Sequence, residues 1–76
     1  MDYLVSAFLD DEHDAYTLYY VKADNEETAI ALTKEVDAMA VAWEAKTLTE
    51  DQARPYKDFA PGYAHSVGSG GPTRFI

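Results

Sequence analysis

Hydrophobic and aromatic positions in the first 23 residues predict two β-strands. Residues 2–9 and 15–23 are rich in Tyr, Val, Leu, Phe and Thr, which are favoured on a pleated, half-buried surface. The five polar residues at positions 10–14 have the length of a hairpin loop. We therefore expect an N-terminal antiparallel hairpin over residues 1–23.

Neither face of the predicted hairpin is polar. In the second strand, Tyr19 falls on one face, while Tyr16 and Tyr20 fall on the other. One face can pack on a helix, and the other must be covered by the C-terminal segment, a second subunit or a target. Tyr suits such an interface because it combines a large ring with a polar tip.

A helix is predicted after the hairpin. Asp24 is a candidate N-cap, Glu27 stands three residues later as in a capping box, and acids are favoured in a first turn. Apolar residues then recur at three- and four-residue spacing, which is typical of a core-facing stripe. They are Ala29, Leu32, Val36, Met39 and Trp43. A helix from Asn25 to about Lys46 would be roughly 33 Å long.

All Gly and Pro residues lie at or beyond Pro55, so residues 48–76 are expected to be irregular with short elements. Thr49 and Gln52 predict one helical turn, which Arg54 must leave because it precedes a proline. Residues 64–67 and 73–76 read as short strands that add a third strand or a small hairpin to the sheet edge.

The predicted fold is one α+β domain in which an antiparallel sheet packs on one long α-helix, in the order ββα(β). The hairpin occupies residues 1–23, the helix residues 24–47, and the irregular part residues 48–76. With 76 residues, such a domain buries only about 60% of its unfolded surface, and a homodimer would add to its stability.

Composition excludes several classes of protein. Without Cys the chain has no disulfide and no thiolate site. No stretch approaches the roughly 20 apolar residues that cross a bilayer, so we expect a cytoplasmic protein without a membrane partner. The formal net charge is -8, from 14 acidic and 6 basic residues. Phosphate backbones are bound through Lys and Arg, so a basic protein surface is a better partner than nucleic acid.

The sequence "LDDEHDAY" at residues 9–16 superficially resembles a calcium loop, because Asp10, Glu12 and Asp14 alternate like the first ligands of an EF-hand. The required Gly and Glu are replaced by Ala15 and Val21. The two histidines have no metal-site spacing, and no nucleophile motif is present. We therefore expect no metal, no cofactor and no catalytic residues.

Two acidic clusters flank the second predicted strand: Asp10 to Asp14 before it, and Asp24 with Glu26 and Glu27 after it. A nine-residue strand would hold them about 30 Å apart. Duplex DNA carries one charge per about 1.7 Å of axis, so the clusters are compatible with imitation of phosphate. The alternative is a solvated surface that only keeps the protein in solution.

The chain resembles the small, acidic, cysteine-free proteins of phages and mobile elements, including anti-CRISPR proteins and DNA-mimicking inhibitors. The resemblance covers the first half and rests on size, charge, the strand-strand-helix order and the junction "YYVKADNEETAIAL". It implies an inhibitor of a nuclease or CRISPR effector in the host cytoplasm.

The first functional hypothesis is therefore an acidic inhibitor that occupies the basic groove of a nucleic-acid-handling enzyme. The second is a structural or regulatory homodimer whose acids serve only solubility. The third is a weak enzyme or small-ligand binder, which would need a concave pocket with convergent polar groups. The expected partner-binding residues are Asp10, Asp11, Glu12, Asp14, Tyr16, Tyr19, Tyr20, Glu26 and Glu27.

Overall fold

A computed structural model describes residues 1–12 and 15–70. Within these ranges the chain forms a four-stranded antiparallel sheet in the order β3-β1-β2-β4. In chain order the elements are β1 (Asp2–Phe8), β2 (Tyr16–Lys22), α1 (Glu26–Val36), β3 (Ala42–Thr47), α2 (Glu50–Ala53), a 3₁₀ turn (Arg54–Tyr56) and β4 (Ala64–Gly70).

The predicted N-terminal hairpin forms the centre of the sheet. β1 and β2 pair antiparallel from Asp2 opposite Lys22 to Phe8 opposite Tyr16. Both strands begin and end within one residue of the predicted bounds. Their β-branched and aromatic residues therefore form strands where local preference indicated.

The prediction of one long helix over residues 24–47 is wrong, and so is the fold class built on it. α1 ends at Val36 after 11 residues, and residues 42–47 form β3. β3 pairs with β1 from Thr47 opposite Tyr3 to Ala42 opposite Phe8. Within residues 1–12 and 15–70, the protein therefore consists of a four-stranded sheet and two short α-helices.

In the sequence, the apolar pattern of a helix continues from α1 into β3, because a short apolar run fits the helical period of 3.6 residues as well as the strand period of two. Trp43 packs on the core from β3, whereas Met39, which the stripe placed in the core, is 88% exposed in the connection. Pairing of β3 gives the backbone groups on one side of β1 their hydrogen-bond partners, which a helix could not do.

The start of α1 also differs from the prediction. Asn25, not Asp24, is the N-cap, and its Oδ1 accepts a hydrogen bond from the Thr28 N–H at 2.8 Å. At the other end the Asp37 N–H donates to the Thr33 carbonyl at 2.9 Å. Asn and Asp are about equally good N-caps, so residue type could not select between neighbours.

One face of the sheet packs against α1 and contains most of the core. Val5, Val21 and Ala29 are completely buried there, with Trp43 and other apolar residues packed around them. Thr33 is also buried, and its hydroxyl donates to the Ala29 carbonyl at 2.9 Å. The helix can approach closely because the residue at its centre is small.

The opposite face, called here the second face, is crossed by α2 and its 3₁₀ turn. The predicted capping box is present: the Gln52 N–H donates to Thr49 Oγ1 at 3.2 Å, and the Thr49 N–H donates to Gln52 Oε1 at 2.9 Å. α2 ends at Ala53, as expected from the proline after Arg54, but Arg54 keeps helical dihedrals (φ −54°, ψ −41°) and starts the 3₁₀ turn. Pro55 fits the first turn of the 3₁₀ segment, where its missing N–H is not needed.

β4 confirms the predicted strand at residues 64–67 and extends it to Gly70. β4 pairs antiparallel with β2, and the register of this pairing shifts between Leu18 and Tyr19 of β2. The second predicted C-terminal strand, residues 73–76, lies outside the described residues. In the described part of the chain, β3 and β4 are therefore the two edge strands.

Candidate functional site

The acidic loop forms the tip of the central hairpin. The Leu9 N–H donates to the Ala15 carbonyl at 2.8 Å, which closes the loop directly beyond the two strands. Asp11 and Glu12 are exposed, and Asp10 is half-buried. Asp14 lies outside the described residues. The hairpin therefore presents at least two carboxylates to solvent at one end of the sheet.

The second acidic cluster lies at the opposite end of β2. Asp24, Glu26 and Glu27 are all exposed at the start of α1. Since β2 has seven residues, it spans about 20 Å. The two acidic clusters are thus closer together than the nine-residue strand expected from the sequence would place them.

α1 carries exposed carboxylates near both of its ends. It starts beside the end of β2 and must return to the hairpin end, because β3 begins opposite Phe8. Its last turn carries the exposed Glu35. We define the acidic surface as Asp11, Glu12, Glu26, Glu27 and Glu35. None of these carboxylates forms an ion pair with another residue of the described ranges.

Lys34 interrupts this acidic surface at the level of the core. Its Nζ lies 4.9 Å from the ring centroid of Trp43, over the ring face. Such a cation–π contact directs the charge towards the aromatic ring. The carboxylates of α1 are consequently not neutralised by the nearest lysine on the same helix.

Tyr20 is not available for contact with a partner, contrary to the prediction. Its side chain is completely buried, stacks on Tyr56 with ring centroids 4.7 Å apart, and meets the edge of Phe59 at 5.7 Å. Its hydroxyl donates to Asp2. Tyr20 is a core residue of the second face because the α2 segment covers it.

The other two tyrosines lie on opposite faces of the sheet. Tyr19 is half-buried on the α1 face, where its hydroxyl donates to Asp37 Oδ2 at 3.0 Å. Tyr16 is half-buried on the second face, in edge contact with Phe8 (ring centroids 5.9 Å apart) and against Gly70. Among the three predicted tyrosines, Tyr16 is the partly exposed one beside the hairpin tip.

Both Tyr19 and Tyr20 resist ionisation. Burial raises the pKa of Tyr19, and its hydrogen bond to the Asp37 carboxylate and the charge of that carboxylate raise it further. Burial likewise raises the pKa of Tyr20, with the hydrogen bond and charge of Asp2 as additional causes. Both hydroxyls therefore act as hydrogen-bond donors at neutral pH.

Sequence reasoning missed an apolar strip on the second face near the hairpin tip. Leu18 is half-buried there, next to Tyr16 on the same face of β2, and Gly68 lies opposite it on β4. Leu4 is half-buried on the same face but further from the tip, opposite Tyr20. The alternation of the first two strands already placed these side chains on one face. Their exposure depends on the path of α2, which covers only the other end of that face.

Neither a cluster of possible metal ligands nor a membrane-spanning helix occurs among residues 1–12 and 15–70. Among residues 1–12 and 15–70, no three His, Asp or Glu side chains are grouped so that they could hold a metal ion. In the same ranges no helix combines the length and apolar character needed to cross a membrane. Comparison with protein-family models, curated proteins and solved structures gives no match for this chain.

Proposed function

We propose that this protein is an acidic inhibitor that binds the basic surface of a nucleic-acid-handling enzyme, such as a nuclease or CRISPR effector, in the cytoplasm of a host cell. The observation that carries the proposal is the acidic surface, whose carboxylates are exposed and without ion pairs in the described residues. The protein acts by binding and has no catalytic step.

The arrangement of charge supports a protein partner. Exposed charges of one sign raise the rate of association with an oppositely charged surface by about 10 to 10³. They rarely supply a desolvated anchor, which buried aromatic contacts provide. Tyr16 and the neighbouring Leu18 are half-buried beside the hairpin tip, on the face opposite α1, and offer such an anchor to a partner that binds at the tip.

Charge reversal at the hairpin tip tests this proposal. The variant Asp11→Lys/Glu12→Lys is expected to lose inhibition, because it places cations against the basic groove. The measurement is displacement of a fluorescent DNA duplex from a panel of purified nucleases and CRISPR effectors, at increasing salt. For the unmodified protein, the association rate should fall steeply as salt screens the charges.

A matched control is Glu50→Lys/Asp58→Lys, which changes the net charge equally at exposed positions outside the acidic surface. This control should retain most of the inhibition. Equal losses in both variants would show that net charge alone acts, and absence of inhibition by the unmodified protein across the panel would contradict the proposal.

A homodimer is the second candidate, favoured by the partly exposed apolar strip at Leu4 and Leu18 and by the edge strand β4, which carries no Asp, Glu, Lys or Arg. Uncharged edge strands readily pair with another chain. Sedimentation equilibrium should then show a dimer that Leu18→Lys disrupts. A monomer at all concentrations would rule this candidate out.

A further inference from the structure

A cleft on the second face lies at the end of the sheet remote from the hairpin tip. Its volume is about 330 Å³, within the range of roughly 300–1,000 Å³ that is common for small-molecule sites. The last residue of β2, Lys22, contributes to one wall, and the α2 segment contributes Arg54 and Lys57. The cleft is therefore enclosed by two different parts of the chain.

The cleft concentrates positive charge in a protein whose net charge is -8. Lys22, Arg54 and Lys57, three of the six Lys and Arg residues in the chain, line it together. Neither Lys22 nor Lys57 forms an ion pair with another described residue. Arg54 is paired with Asp51 at 2.5 Å, but that carboxylate does not line the cleft.

Two carboxylates, Asp2 and Glu50, also line the cleft and offset part of this positive charge. Asp2 accepts the hydroxyl hydrogen bond of the buried Tyr20, so one of its oxygens is directed at the core. Glu50 forms no ion pair with the lysines among the described residues. An incoming anion would meet two ammonium groups and one guanidinium beside two carboxylates, so the lining side chains carry a formal net charge of +1 (3 − 2).

The walls of the cleft are held by backbone hydrogen bonds. The Gly62 N–H donates to the Lys22 carbonyl at 3.2 Å, and the Leu48 N–H donates to the Asp2 carbonyl at 2.8 Å. Ala53, on the inner side of α2, is buried against the sheet. The backbone of the cleft is therefore ordered before a ligand binds, whereas the exposed side chains of Arg54 and Lys57 must be ordered on binding.

We propose that this cleft binds a small polyanion, a ligand with two or more closely spaced phosphate or carboxylate groups. Lysine ammonium groups bind such anions as point charges, and the guanidinium adds paired hydrogen bonds. The inference is independent of the inhibitor proposal, because the hairpin tip and the cleft lie at opposite ends of the central strands.

Titration of the ¹⁵N-labelled full chain with inorganic pyrophosphate, and separately with citrate, tests this site. KCl keeps the ionic strength constant, because a protein of this charge also responds to salt. Saturable shifts are expected at the backbone amides of Lys22, Arg54 and Lys57. Binding of both anions would indicate general polyanion recognition, and binding of one would identify phosphate or carboxylate as the preferred group.

The variant Lys22→Gln/Lys57→Gln should weaken binding by at least about tenfold, the scale of one charge-assisted hydrogen bond. Lys34→Gln, on the other face of the sheet, is the control and should bind like the unmodified protein. Dispersed amide spectra confirm folding, and Lys57→Gln alone provides a milder variant at an exposed position. Shifts that do not saturate, or equal weakening by Lys34→Gln, would overturn the proposal.

Discussion

Replacement of Tyr20 by Ala is expected to lower the free energy of unfolding by about 3 to 5 kcal/mol, the range for removal of a large buried aromatic side chain. Tyr20 is completely buried and packs against Tyr56 and Phe59. Its loss would remove the contact that holds the α2 segment on the second face. Urea denaturation followed by circular dichroism measures the effect.

Such a loss is large for a chain of this length, for which a total stability of about 4 to 11 kcal/mol is typical. Tyr20→Phe keeps the ring and removes the hydrogen bond to Asp2, so about 1 kcal/mol is expected. Tyr63→Ala is the exposed control, since that side chain is 55% exposed. Similar losses for Tyr20→Ala and Tyr63→Ala would show that the buried aromatic packing is incorrect.

Stability should also fall steeply above pH 10. The folded-state pKa values of Tyr19 and Tyr20 are raised above the ordinary value of 10.0, chiefly by burial. Above that pH the unfolded chain loses these protons while the folded protein retains them, so the unfolded state is favoured. Below it both states are protonated, and the stabilisation is fully present.

A tyrosine that is ionised in the unfolded chain and protonated in the folded protein contributes a slope of at most about 1.4 kcal/mol per pH unit. Urea denaturation at successive pH values measures the slope, and tyrosinate absorbance reports ionisation directly. Tyr20→Phe should remove the larger part of the slope and Tyr19→Phe a smaller part, because the pKa of Tyr20 is raised further. A slope unaffected by both substitutions would place its origin elsewhere in the protein.

The two proposed surfaces can be tested separately because their key side chains do not overlap. The tip variant changes Asp11 and Glu12, whereas the cleft variant changes Lys22 and Lys57. If the protein inhibits a nuclease but does not bind polyanions, only the inhibitor proposal stands. If it binds polyanions but inhibits no nuclease, only the cleft proposal stands. Loss of both properties in one variant would instead indicate a general effect of charge.

Local sequence signals predicted the elements that depend mainly on neighbouring residues. The strands of the central hairpin follow from their β-branched and aromatic content, and the capping box of Thr49 and Gln52 follows from its three-residue spacing. The acidic character of the hairpin tip and of the first turn of α1 was also evident, because charged side chains at such positions face water.

The end of α1 could not be predicted in the same way. Residues 36–43 fit a helical stripe, but only the unpaired side of β1 explains why the chain extends there and forms β3. Similarly, Tyr16 and Tyr20 share a face in sequence, and the path of α2 decides that Tyr20 is buried while Tyr16 remains partly exposed. Both outcomes depend on distant segments.

The sequence by itself thus determined the hairpin, the charge of its tip, the absence of cysteine chemistry and a small α+β composition. Only the tertiary structure decided the four-stranded order, the burial of Tyr20, the return of α1 towards the hairpin end and the meeting of Lys22 with Arg54 and Lys57 in one cleft. The physical reason is that propensity and capping act over a few residues, whereas strand pairing and burial depend on segments that are far apart in the chain.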